Sequence, residues 1–376
     1  MRQLLLALLA ASLFSCGRQT AQPQEKGDTV SFRYARLLTV VRHDGYTEAT
    51  VSNPWKPGKV LHRYLLVPKD SIPPSSWRGS GGGSTILRTP LRRSMVFTTV
   101  HCAMLQSLAM QHSIAGVADL KYIKLPWIHQ QVAEGRIVDV GEGMSPVIEK
   151  IIDTHPDAIL LSPFENSGGY GRLDDIDIPL VECAEYMEES PLARAEWIRF
   201  YGMLFGCERQ ADSLFAVVDS SYNALKSLAA QSPSSPTVMV DKVTGSVWYV
   251  PGGRSTIGRM IADAGGRYLW ADDPHSGSVS LPFETVLERA GGADVWLFRY
   301  SADHDITYGE LAAEHHGYPQ FKTFRQHAAY GCNVEQSLFY EESPFRPDFL
   351  LTDFIQILHP GTIPHSPLRY YHKVDE

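Results

Sequence analysis

From residue 94 onward, short apolar runs alternate with segments whose apolar positions recur every three or four residues. Residues 94–98 read as a strand, 100–111 as a helix, 114–117 as a strand and 146–154 as a helix, with buried strands at 158–161 and 180–182. Continuous apolar strands between amphipathic helices call for a parallel sheet covered on both faces. The pattern resumes later, with strands at 237–241, 246–249 and 295–298 and helices at 255–264, 283–290 and 346–358. Between the two runs lie about 40 residues of helical spacing, interrupted at Gly202 and Gly206. They predict one helix over 191–205, opened by Ser190 as cap and Pro191 as first helical residue, and a second over 209–230. The second has about 22 residues, or roughly 33 Å, enough for a stiff strut between two lobes. Before residue 94, segments 36–41, 46–51 and 61–67 read as short strands between turn signals such as Asp44-Gly45 and Asn53-Pro54. Residues 75–84 (SSWRGSGGGS) read as a polar surface loop.

The chain opens with MRQLLLALLAASLFSC: a cationic start at Arg2, an apolar run over 4–13, and Leu13-Phe14-Ser15-Cys16, which resembles a bacterial lipobox. The run is shorter than the roughly 20 residues that span a bilayer, so 1–15 read as a cleaved signal peptide. Cys16 then becomes the first mature residue and the point of lipidation; a secretory signal with an incidental cysteine is the alternative. This predicts export to the cell envelope, on the periplasmic side, with a lipid anchor in the membrane. Residues 16–29 suit a tether, 30–207 a first α/β lobe with a β-rich start, 208–231 the interlobe helix and 232–376 a second α/β lobe. About 350 mature residues exceed what one core organises, which also favours two lobes.

Removing 1–15 takes away Arg2 and no acid, so the net charge of −8 becomes −9. That balance argues against nucleic acid as a partner, since such binding rests on clustered Lys and Arg. No CxxC, HExxH, Walker loop or GxSxG elbow occurs, and no spacing marks a metal site or a resident cofactor. Cys102, Cys183, Cys207 and Cys332 allow three disulfide pairings or none. Many aromatics lie near Gly or Pro, which favours a cleft over a pure core role.

Two segments echo each other across the strut. Residues 144–152 (MSPVIEKII) lead into 156–161 (PDAILL), and 280–287 (SLPFETVL) lead into 293–298 (ADVWLF). The echo places Glu149 and Glu284 at equivalent points of duplicated lobes. Either glutamate alone is explained by the helix dipole; the matched pair asks for more.

With 147–161 (VIEKIIDTHPDAILL), 190–206 (SPLARAEWIRFYGMLFG) followed by 208–212 (ERQAD), and 346–360 (RPDFLLTDFIQILHP), the chain resembles the substrate-binding lipoproteins of ABC importers for iron–siderophore, haem and cobalamin. The resemblance runs from about residue 91 to 361 and implies two Rossmann-like α/β lobes, joined by one long interlobe helix, with a ligand cleft between them. It further implies a monomer that delivers its cargo to an ABC permease and its ATPase subunits, with Glu149 and Glu284 docking against permease arginines. The ligand would be a small-molecule metal chelate: a ferric siderophore, haem or cobalamin. The 75–84 insert and the aromatic- and His-rich stretch 300–330 match nothing that names it.

In open α/β sheets ligands meet loops at the carboxyl ends of strands. That rule selects Thr98, Thr99 and His101, then Asp119 and Tyr122, then 162–170 with Glu165 and Tyr170, then Glu185 and Tyr186. In the second lobe it selects Trp248, Tyr249, Arg254, Trp270, Arg299 and Tyr300. Aromatic platforms suit conjugated ligands and Arg suits anionic chelates; each aromatic taken singly could equally be core. His304, His315, His316 and His327 fit no compact tetrahedral site and read as surface or capping residues, with adjacent His315 and His316 on different faces. A haem axial ligand among them is the alternative. The leading expectation is therefore a binding module and not an enzyme. A periplasmic chelatase or metal-dependent hydrolase on the same scaffold is the runner-up, and a lipoprotein that hands its cargo to another receptor a third.

Overall fold

A computed structural model of the chain describes residues 27–74, 77, 83–165 and 169–376. The signal peptide, Cys16, nearly all of the tether and most of the 75–84 loop lie outside the described residues. None of the described helices is long and apolar enough to cross a membrane.

The chain begins as a five-stranded sheet: β1 (Asp28–Val30), β2 (Leu38–His43), β3 (Tyr46–Ser52), β4 (Val60–Pro68) and β5 (Ser84–Thr89), in that spatial order. It is antiparallel except between β4 and β5. The first lobe follows with β6 (Ser94–Val96), β7 (Ile114–Val117), β8 (Val138–Asp139), β9 (Ala158–Leu161) and β10 (Leu180–Glu182), all parallel in the order β10-β9-β6-β7-β8. Strand period 2 splits these residues between two cores. Val96, Ala158 and Leu160 join the main core, which runs continuously from the first sheet into the second lobe. Met95, Phe97, Ile159 and Leu161 point to the opposite face, where Ile148, Ile151 and Leu173 complete a smaller core.

The second lobe contains β11 (Thr237–Val240), β12 (Val243–Thr244), β13 (Val247–Pro251), β14 (Arg267–Tyr268), β15 (Ser278–Leu281), β16 (Val295–Tyr300), β17 (Ala329–Asn333) and β18 (His372–Lys373). Its main sheet runs β14-β11-β16-β17-β18, parallel apart from β18, and β12-β13-β15 form a small antiparallel sheet beside it. The echo is architectural. Helix Ile148–Thr154 feeds β9, which pairs with β6, and helix Phe283–Ala290 feeds β16, which pairs with β11. Glu149 and Glu284 each occupy the second position of these helices, and both are exposed.

The two lobes are joined by helix Glu208–Ala229, 22 residues long, packed against helices Ile198–Phe205 and Pro347–Leu358. The crossing is close. A Cβ on Gly202 would lie 2.6 Å from Ala211 Cβ, so only glycine admits the approach without a shift. Sequence spacing joined 191–205 into one helix; the structure breaks it at Trp197 into Pro191–Glu196 and Ile198–Phe205. Trp197 Nε1 donates to Glu188 Oε1 at 2.9 Å. Ser190 caps and Pro191 opens the first piece as predicted, with Ser190 Oγ accepting from Ala193 N at 3.1 Å.

Residues 33–37 are strapped to this region by two buried carboxylates. Glu196 accepts from the amides of Arg33, Tyr34 and Ala35 at 2.8, 2.7 and 2.9 Å, and Glu188 from those of Arg36 and Leu37. Tyr34 OH donates to Asp219 on the interlobe helix at 2.7 Å. Carboxylates holding amides out of water are stabilising and costly to remove. Glu196→Ala is expected to lose ~2–4 kcal/mol in denaturant unfolding and to open residues 30–37 to limited proteolysis.

Candidate functional site

A cavity of about 610 Å³ sits at the carboxyl ends of β6, β7 and β9. Its walls all belong to the first lobe: Phe97 and Thr98 after β6, Asp119 after β7, Leu161 at the end of β9 with Ser162 and Phe164 after it, the 143–148 approach to helix Ile148–Thr154, and 169–173. The cleft between lobes that the resemblance implied is not where this cavity lies. The 143–148 turn depends on Asp119, which adopts a left-handed conformation (φ 53°) and accepts from Gly143 N at 3.2 Å. A Cβ on Gly143 would stand 2.8 Å from that carboxylate, so a larger residue would push the turn off the cavity rim. Met144 at 81% exposure, with half-open Phe164, leaves apolar surface at the mouth. Arg172, also in the wall, holds Glu149 at 3.0 Å. The helix amide of Glu149, together with Arg172, keeps this carboxyl below its usual range.

Tyr170 forms one wall. Its hydroxyl donates to Glu182 Oε1 at 2.5 Å, and burial with this neighbour pushes the phenol well up. Tyr186 OH donates to Pro163 O and pins the loop after β9; burial raises its phenol to about 12. Glu165 is exposed beside Phe164 and does not line the cavity.

The other candidates fall elsewhere. His101 is 1% exposed and packs inside the first lobe, not in an open cleft. Its Nε2 meets Tyr201 OH at 3.0 Å and Glu185 Oε1 at 3.3 Å, Tyr201 OH donates to Glu185 Oε2 at 2.8 Å, and Nδ1 meets Thr98 Oγ1. Burial opposes charge on His101, but the Cys183 sulfur and the Glu185 carboxylate outweigh it and lift its pKa to about 10. Donor atoms of His101, Cys183 and Glu185 lie within 4.8 Å of one another, a grouping that no sequence spacing announced. The imidazole and carboxylate are already engaged with each other and with Tyr201. Thr99 reaches the other lobe, its Oγ1 donating to Glu341 Oε1 at 2.8 Å, and Lys124 pairs there with Glu335. Phe345 of the second lobe lies edge-on to His101 and Tyr201.

In the second lobe Trp248, Trp270 and Tyr300 prove to be packing, and no second-lobe candidate lines the cavity. Trp248 is fully buried among Phe283, Trp296, Tyr318 and Phe321, its Nε1 donating to Val240 O at 2.9 Å. Trp270 is buried with Arg289 over its ring, and Tyr300 is buried with its hydroxyl donating to Asp305. Period 2 along β13 turns Trp248 inward and leaves Tyr249 exposed; Arg254 is exposed as well. Arg299 forms a two-point pair with Asp241 at 3.0 and 2.6 Å, so its guanidinium is committed internally. His304 pairs with Asp303 and Glu310 at the surface. His315 and His316 stack with centroids 5.1 Å apart instead of facing apart, because the helix ends at Glu314 and they lie beyond its periodicity. The four described cysteines are free and buried. Burial pushes the thiols of Cys102, Cys207 and Cys332 up, which makes them poor nucleophiles.

Thus the cavity gathers Thr98, Asp119, Ser162 and Tyr170 from the strand-end prediction. It adds Phe97, at the end of the predicted strand 94–98, Met144 and Pro146, at the start of the echo, and Arg172, which no sequence pattern marked.

Two parallel-sheet lobes joined by one long helix, with a cavity at strand ends, define the architecture of a two-lobe solute-binding protein. The periplasmic binding protein family model matches residues 102–328, and the chain belongs to that family. An uncharacterized lipoprotein of Methanocaldococcus jannaschii is 28% identical over 92% of this chain and 87% of its own length. Among solved structures, an ABC-type Fe3+-hydroxamate transport protein from Saccharomonospora viridis superposes with TM-score 0.57 at 18% identity, covering 72% of this chain and 94% of its own. A periplasmic haem-binding protein from Pseudomonas aeruginosa gives TM-score 0.57 at 13% identity, covering 76% and 99%. At such identities the likeness is one of fold.

Proposed function

We propose that this protein captures an iron(III) chelate (siderophore or haem) or a corrinoid and delivers it to an ABC importer. The observation that carries the reading is the cavity. Phe97, Met144, Pro146, Phe164, Tyr170 and Leu173 give it an apolar body, and Asp119, Ser162 and Arg172 add a few convergent polar groups. Its volume of about 610 Å³ falls within the ~300–1,000 Å³ of ligand pockets. Solved relatives in fold whose titles name Fe3+-hydroxamate transport and haem binding support the same class of cargo. Cys16 would moor the protein by lipid in the envelope, a monomer facing the permease and its ATPase subunits, with Glu149 and Glu284 as contacts. The full chain in detergent, titrated with haemin, a ferric trihydroxamate and cyanocobalamin, should show saturable quenching of tryptophan fluorescence by one of them. Absence of saturable binding to all three would remove the reading.

A further inference from the structure

The family match begins at residue 102, so the five-stranded sheet of β1–β5 lies wholly outside it. That sheet nevertheless reaches the cavity. Glu182, at the end of β10, is 8% exposed and divides its two oxygens. Oε1 accepts from Tyr170 OH at 2.5 Å, while Oε2 lies 3.0 Å from His62 Nδ1 on β4. His62 Nε2 is 2.8 Å from Thr85 Oγ1 on β5, and its ring stacks on Tyr64 with centroids 4.5 Å apart. Tyr64 in turn accepts from Glu182 N at 2.8 Å. Both side chains that hold Glu182 in place from outside the lobe therefore belong to the accessory sheet.

We infer that His62 is a positioning residue for the ligand cavity, fixing the Tyr170 wall through Glu182 and making the accessory sheet part of the binding apparatus. A nearly buried carboxylate that lost His62 would turn toward water or another donor, and Tyr170 would lose its fixed acceptor. Because Tyr170 N also donates to Asp174, the loosening would spread along 170–174. The inference rests on the cavity being the ligand site, but the coupling itself is measurable without ligand.

The test uses the full chain in detergent as wild type, His62→Ala, His62→Asn and the milder Thr85→Val. Asn places an amide N–H near the position of Nδ1 and so should restore the bond. Hydrogen–deuterium exchange over 169–174 should accelerate about tenfold in His62→Ala, less in Thr85→Val, and return toward wild type in His62→Asn, as expected for one hydrogen bond to a charged group. Whichever of haemin, ferric trihydroxamate or cyanocobalamin the wild type binds should bind about tenfold more weakly to His62→Ala, with the same rescue. Unchanged exchange in both folded His62→Ala and Thr85→Val overturns the coupling. Faster exchange with unchanged affinity overturns the positioning role. If the wild type binds none of the three chelates, the cavity reading fails while the exchange result still decides the coupling.

Discussion

Charge reversal of both Glu149 and Glu284 to Lys is expected to abolish cargo transfer to the importer at cargo concentrations that saturate the protein. Both carboxylates stand exposed at the second position of helices that feed equivalent strands of the two lobes. Two rigidly linked acidic points can steer a basic partner and set its register. Charge steering of this kind is worth ~10–1,000-fold in association rate and falls with salt. Glu149 is already held by Arg172 at the cavity wall, so its reversal also frees that arginine. Single reversals should therefore slow transfer, the double should stop it, and raising salt should reduce the wild type toward the single variants. Vesicles carrying the importer, loaded outside with protein and cargo, give the measurement. Undiminished transfer by the double variant would show that these carboxylates do not dock.

The largest stability effect is expected at His101. The imidazolium and Glu185 form a fully buried pair, bridged by Tyr201. Removing one partner of such a pair costs ~3–5 kcal/mol because the other is left buried and uncompensated. His101→Ala should show that loss in denaturant unfolding at pH 6. Its folded pKa of about 10 lies above the ordinary 6.5, so the stabilisation is fully present below about pH 6.5 and is lost as pH rises through 10. Burial opposes the Glu185 charge, yet His101 and Tyr201 hold that carboxyl low, so its share is lost only on acidification below the usual carboxylate range. The gap between wild type and His101→Ala should accordingly narrow toward pH 10; a gap independent of pH would mean that His101 acts by packing alone.

The architecture was legible because parallel strands buried on both faces write uninterrupted apolar runs, as in AILL of β9 and TVMV of β11. Ser190-Pro191 and the Glu149/Glu284 echo carried helix starts and lobe duplication in the same local way. The cavity was half legible. Strand-end loops gave Thr98, Asp119, Ser162 and Tyr170, but Arg172 depends on how the 169–173 segment folds back, which no period records. Trp248 and Trp270 were misread for a physical reason: their large apolar rings gain most from full burial and went to the core, whereas Phe97, Phe164 and Tyr170 line the cavity. Pairings such as His62 with Glu182 and His101 with Glu185 join residues about a hundred apart, so only the fold reveals them.

The most direct test is native mass spectrometry of the full chain purified from the membranes of its own host, with an absorption spectrum of whatever accompanies it. One small molecule per chain is expected, carrying iron or a corrin ring, visible as a Soret, ferric charge-transfer or corrin band, and lost when Gly143→Trp displaces the 143–148 wall of the cavity. A chain that travels empty and takes up no metal chelate when offered one, or whose companion is neither an iron chelate nor a corrinoid, would contradict it.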